Sequence, residues 1–68
     1  MIVFDKLFIE LKNRGIGQNK FCNDYDISTS QLERLRTNKN VNTYTLNKIL
    51  KALDLDSIED IATYIKDE

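Results

Sequence analysis

Apolar residues recur along this chain at helical rather than strand spacing. Phe4, Leu7, Phe8 and Leu11 stand at i, i+3, i+4 and i+7, so residues 2–13 are expected to form a first helix with that stripe inward. Ile2 and Ile9 fall on its opposite side, where a second layer or a partner chain must cover them. Arg14-Gly15-Ile16-Gly17 reads as a loop whose glycines suit a left-handed helix end. A second helix is expected over 18–25 with Phe21, Cys22 and Tyr25 inward, ended by Asp26. The third follows Ser28 and runs to about Arg36 with Leu32 and Leu35 inward. After the polar loop 37–41, Asn42 or Thr43 caps a fourth helix striped by Leu46, Ile49, Leu50 and Leu53. Ser57, with Asp60 three residues on, marks the start of a fifth, with Ile58, Ile61, Ala62 and Ile65 inward. The expectation is an all-α, compact five-helix domain without strands.

Composition supports that reading. The 68 residues include no proline and only Gly15 and Gly17 as glycines, and no linker-like run divides them. One domain spanning 1–68 is expected, with a single modest core. Nothing approaches the roughly 20 apolar residues that span a bilayer, and Asp5, Lys6 and Glu10 interrupt any signal-like apolar run. With Cys22 as the one cysteine, no internal disulfide forms; a cytoplasmic protein is the expectation.

The net charge of −1 is unevenly spread. Residues 28–53 carry Arg34, Arg36, Lys39, Lys48 and Lys51 against Glu33 alone, whereas 54–68 carry six carboxylates against Lys66. A basic middle and an acidic tail fit either ordinary solvated surface or a partner that is itself anionic.

Segment 18–37 carries the strongest signal. Two helices joined by a tight turn need apolar residues at its fourth, eighth, tenth, fifteenth and eighteenth positions, and these are Phe21, Tyr25, Ile27, Leu32 and Leu35. The fifth must be small and is Cys22. The ninth takes positive φ and is usually glycine; Asp26, which tolerates that conformation, stands there. The segment resembles the helix-turn-helix of the lambda-repressor-like, Cro-type family of transcriptional regulators. The likeness extends over about residues 4–62, through the loop Asn38-Lys39-Asn40 and the helix after it.

The resemblance implies sequence-specific binding of double-stranded DNA by a Cro-like repressor, with the third helix in the major groove. At about 100° per residue, Thr29, Ser30, Glu33, Arg34 and Thr37 share one face of that helix. Thr29, Ser30 and Arg34 match family positions that touch base edges, and Arg34 suits the paired acceptors of guanine. Glu33 joins that base-reading set as an acceptor from cytosine, or orients a neighbour. Gln18 and Asn19 at the start of the second helix are expected to hold a phosphate, as are Asn38, Lys39, Asn40, Asn42, Thr43 and Tyr44 on the other flank. For Lys48 and Lys51 a solvated helix face is the favoured reading. Many family members have a glutamate where Arg36 stands, paired with a first-helix arginine; here that partner position is Leu11, leaving Arg36 to reach Glu10 or a phosphate.

An enzyme is not expected. Histidine is absent, no glycine-rich phosphate loop is present, and the motif turns Cys22 inward. No cofactor, metal or small-molecule ligand is implied. The partners expected are a pseudo-palindromic DNA operator and a second copy of the chain. The rival reading is a protein-interaction module of a phage or mobile-element regulator that keeps the fold without binding DNA.

Overall fold

The computed structural model describes residues 1–66. Its elements are β1 (Ile2–Val3), α1 (Asp5–Asn13), α2 (Gln18–Tyr25), α3 (Thr29–Arg36), α4 (Thr43–Ala52), a single 3-10 turn (Ile58–Asp60) and β2 (Thr63–Tyr64). Phe4, Leu7, Leu11, Phe21, Cys22, Ile27, Leu32, Leu35, Ile49, Leu53 and Ile61 make one buried core to which every α-helix contributes.

The expected five helices are four, and a small sheet replaces the fifth. Ile61 is the inward anchor of that last segment and is fully buried, but Ile58 and Ile65, read as its companions, are exposed. A 3-10 turn capped by Ser57 Oγ, which accepts from Glu59 N, is all the helix that forms. Beyond it Thr63 and Tyr64 pair antiparallel with Ile2 and Val3, in the register Ile2 to Tyr64 and Val3 to Thr63. The residues on both sides are β-branched or aromatic and fit an extended backbone better than a helical one. Met1 and Ile65 extend the pairing, each donating from N to the other's carbonyl at 2.7 Å. The first helix accordingly begins at Asp5 rather than Ile2. Asp5 in its first turn complements the helix dipole.

All four helices end in the same way. Gly15, Asp26, Asn38 and Asp54 have φ of 69°, 55°, 58° and 54°. In each case the next residue donates its N–H back five positions: Ile16 to Leu11, Ile27 to Cys22, Lys39 to Arg34 and Leu55 to Leu50, at 2.8–3.0 Å. This left-handed closure satisfies carbonyls that a helix end leaves open, and it favours glycine, asparagine or aspartate because their backbones enter that region at least cost. Three of the four following residues, Ile16, Ile27 and Leu55, turn back onto the core.

Candidate nucleic-acid interface

The two central helices are joined by Asp26, Ile27 and Ser28. Ile27 plugs the turn into the core, and Ser28 caps α3 by accepting from Gln31 N at 3.2 Å. Leu32 and Leu35 hold α3 from beneath, which leaves Thr29, Ser30, Glu33, Arg34 and Thr37 together on its exposed side. Tyr25, expected inward, is 39 % exposed and lies tilted against Phe21, with ring centroids 5.3 Å apart. As the last residue of α2 it sits where that helix leaves the core, so only its inner edge finds a partner.

Both flanks of this face come from helix ends. On one side α2 starts after Gly17, which supplies no side-chain cap, so its first N–H groups point past Gln18 and Asn19 with no side chain bound to them. On the other, the loop 38–41 leads into α4. Asn42 caps that helix, its Oδ1 accepting from Thr45 N at 2.8 Å and from Thr45 Oγ1 at 2.9 Å. Thr43, Tyr44, Lys39 and Asn40 are exposed beside it. Lys39 occupies the position that holds a core-packed apolar residue after each of the other three helices. Its fold-making N–H bond is kept while its side chain is given to solvent.

Asn38 and Asn42 stand in this loop with their side-chain oxygens already used. Asn38 Oδ1 accepts from Phe4 N at 2.9 Å and so ties the loop to the N-terminal segment. Arg34 leans over the loop, with Nη1 3.4 Å from Asn40 O, a long bond that leaves the guanidinium easily moved. Glu33 is paired with Arg36. Arg36 reaches neither Glu10 nor open solvent alone: Glu10 pairs with Arg14 at 2.7 Å, and Arg36 bridges Glu33 to Gln18 Oε1.

Lys48, read as a solvated residue, instead clasps the turn. Its Nζ donates to Asp26 O at 2.7 Å, stands 3.8 Å from Asp26 Oδ2 and lies 5.2 Å from the centre of the Tyr44 ring. No local pattern marks this role, because Asp26 and Lys48 are far apart in sequence. Arg14 does similar work at the far end of α4, donating from Nη2 to Leu53 O at 2.9 Å.

Charge follows the same division. The ten residues of α4 span about 15 Å. Asn42, Thr43 and Tyr44 stand at its start, whereas Asp54 and Asp56 follow its end. That distance exceeds the roughly 8 Å over which exposed charges act at physiological salt. Asp54 and Asp56 therefore do little to the potential at Asn42, Thr43 and Tyr44.

Burial pushes the Cys22 thiol above its ordinary pKa, with the Arg36 guanidinium pulling it partly back, so the thiol stays protonated and unreactive near neutrality. Among the described residues no group of His, Cys, Asp or Glu is placed to hold a metal ion, and no helix is long and apolar enough to cross a membrane.

Two helices crossing over a left-handed turn, the second with an uncovered polar face, define a helix-turn-helix DNA-binding domain. The chain belongs to the Cro/C1-type HTH DNA-binding domain family, whose profile matches residues 6–67. No curated protein and no solved structure matches the chain. Membership makes this a domain that binds double-stranded DNA, of a class that works in transcription regulation rather than catalysis.

Proposed function

We propose that the protein, acting as one domain, is a sequence-specific Cro-like repressor that inserts α3 into the major groove of an operator and blocks a promoter by occupying it. The observation that carries this reading is Lys39. At three helix ends the residue after the left-handed position packs on the core, and only at the end of α3, beside its exposed face, is that residue an exposed cation. A core-forming contact is exchanged for a charge at the place where a duplex backbone would pass.

In this reading Thr29, Ser30 and Arg34 face the base edges, and Glu33, paired with Arg36, stands aside from them. Short side chains at the start of α3 let it approach the floor of the groove, and Arg34 further along reaches a guanine with two parallel bonds after giving up its weak hold on Asn40 O. The open start of α2 with Gln18 and Asn19 takes one phosphate. Lys39, Asn40, Thr43, Tyr44, and the amide groups of Asn38 and Asn42, take the opposite strand, a division in which backbone contacts set register and base contacts set sequence.

The test is selection of bound sequences from a random duplex pool at near-physiological salt, followed by titration of the winner over a salt series. A recovered consensus and an affinity that falls log-linearly with salt support the reading. Recovery of no consensus and no salt-dependent duplex binding would transfer the function to protein interaction.

A further inference from the structure

We propose that Arg36 is a positioning residue for DNA recognition: it sets the orientation of the Gln18 side-chain amide and withdraws the Glu33 carboxylate from the α3 face. The inference rests on the DNA-binding reading above and adds to it a residue that was assigned no role there.

The geometry is a two-armed bridge. Arg36, the last residue of α3, donates from Nη2 to Gln18 Oε1 at the first residue of α2, and from Nη1 to Glu33 Oε2 one turn back on its own helix. A guanidinium has only donors, so the amide must present its oxygen to Arg36 and turn its NH2 away. A phosphate has only acceptors. The orientation that Arg36 imposes is thus the one in which Gln18 can donate to a phosphate at the uncapped start of α2; the reversed amide would set oxygen against oxygen. Fixing it beforehand removes a rotamer and flip cost from binding.

The second arm acts on charge. Glu33 shares the exposed face of α3 with Thr29, Ser30 and Arg34. An unpaired carboxylate there repels the duplex, and pairing with Arg36 lessens that repulsion while leaving Arg34 as the uncompensated cation of the face. Lysine cannot replace Arg36 in this role, because a point-like ammonium does not present two coplanar donors to two acceptors at once. Arg36 and Glu33 are both about half exposed, so substitutions at either leave the core intact.

The experiment uses the full chain and the best duplex from the random pool. A Glu33→Gln background removes the repulsion, so that Arg36 acts through Gln18 alone. In that background Arg36→Met, Gln18→Ala and their combination are titrated over a salt series, with circular dichroism confirming equal helix content. Arg36→Met is expected to weaken binding about three- to tenfold, the scale of one hydrogen bond, with the salt slope unchanged. It should add nothing once Gln18 is alanine; in the parent chain, where Glu33 and Gln18 are both acceptors, Arg36→Lys should remain weakened. Losses that multiply, a slope that falls by about 0.9 as for a direct phosphate contact, full recovery with lysine, or no loss at all would each overturn the proposal. Those outcomes are separable from failure of the underlying reading, in which the unmodified chain itself binds no duplex in a salt-dependent way.

Discussion

The backbone N–H of Phe4 donates to Asn38 Oδ1 at 2.9 Å, joining the start of the chain to the loop that follows α3. Phe4 is buried, and it is the residue between β1 and α1, so its N–H lies where no helix or strand partner reaches it. Asn38 has φ of 58°, the left-handed conformation that closes α3 and turns Lys39 and Asn40 outward. One side chain therefore satisfies a buried donor and shapes the loop.

Substitutions at Asn38 separate those two roles. Asn38→Gly keeps the conformation and loses the acceptor, and should cost about 1–2 kcal/mol. Asn38→Ala loses both and should cost about 1 kcal/mol more, the penalty of a β-carbon in the left-handed region. Asn38→Asp retains an acceptor and should be the mildest. Urea unfolding checks the order; equal losses for glycine and alanine would show that the turn conformation contributes nothing.

Arg34→Ala should relax preference at one base position of the selected site and cost about 1–3 kcal/mol of specific binding. Affinity for unrelated duplexes should change much less. Titration against the selected duplex and single-base variants of it is the measurement. Unchanged discrimination at every position would remove Arg34 from the base-reading set.

Lys39→Ala should behave differently, weakening all duplexes to a similar degree and lowering the salt slope by roughly one. Because its backbone N–H, not its side chain, closes α3, the variant should unfold at nearly the same urea concentration as the parent. A loss confined to the selected sequence would instead make Lys39 a reader of bases.

The central helices were legible because their determinants are local. Phe21, Cys22, Ile27, Leu32 and Leu35 stand at spacings that only two helices about a tight turn bury together, and Asp26 is among the few residues able to replace glycine in that turn. The last segment was not legible, because Ile58, Ile61, Ala62 and Ile65 match a helical stripe equally well. What decides against it is a strand at the opposite end of the chain: Ile2 and Val3 offer Thr63 and Tyr64 a partner that helical periodicity cannot register. The same holds for the Lys48 clasp on Asp26 and the Arg36 bridge to Gln18, which depend on how helices cross. Asn38 was picked out by its place in the loop, whereas its bond to Phe4 could only come from the folded arrangement.

The protein should occupy its operator as a homodimer on a two-fold symmetric site. One recognition helix spans only about four or five base pairs, too few to single out a site among many competitors. Two copies reading half-sites about 34 Å apart, one helical turn, double the contacts on one face of the duplex. The chain offers apolar surface for such pairing. Ile2 and Tyr64 lie opposite one another in the small sheet, 54 % and 68 % exposed, and Ile9 is 57 % exposed on α1. The two strands are only two residues long each, so a pairing surface of this size is expected to hold two copies together weakly in free solution and firmly only once both are on DNA. Analytical ultracentrifugation of the chain with its selected duplex should show two proteins per duplex and cooperative filling, and Ile2→Asp should abolish the cooperativity while leaving half-site binding intact. A single protein per duplex, saturating without cooperativity on a non-palindromic sequence, would sink the idea.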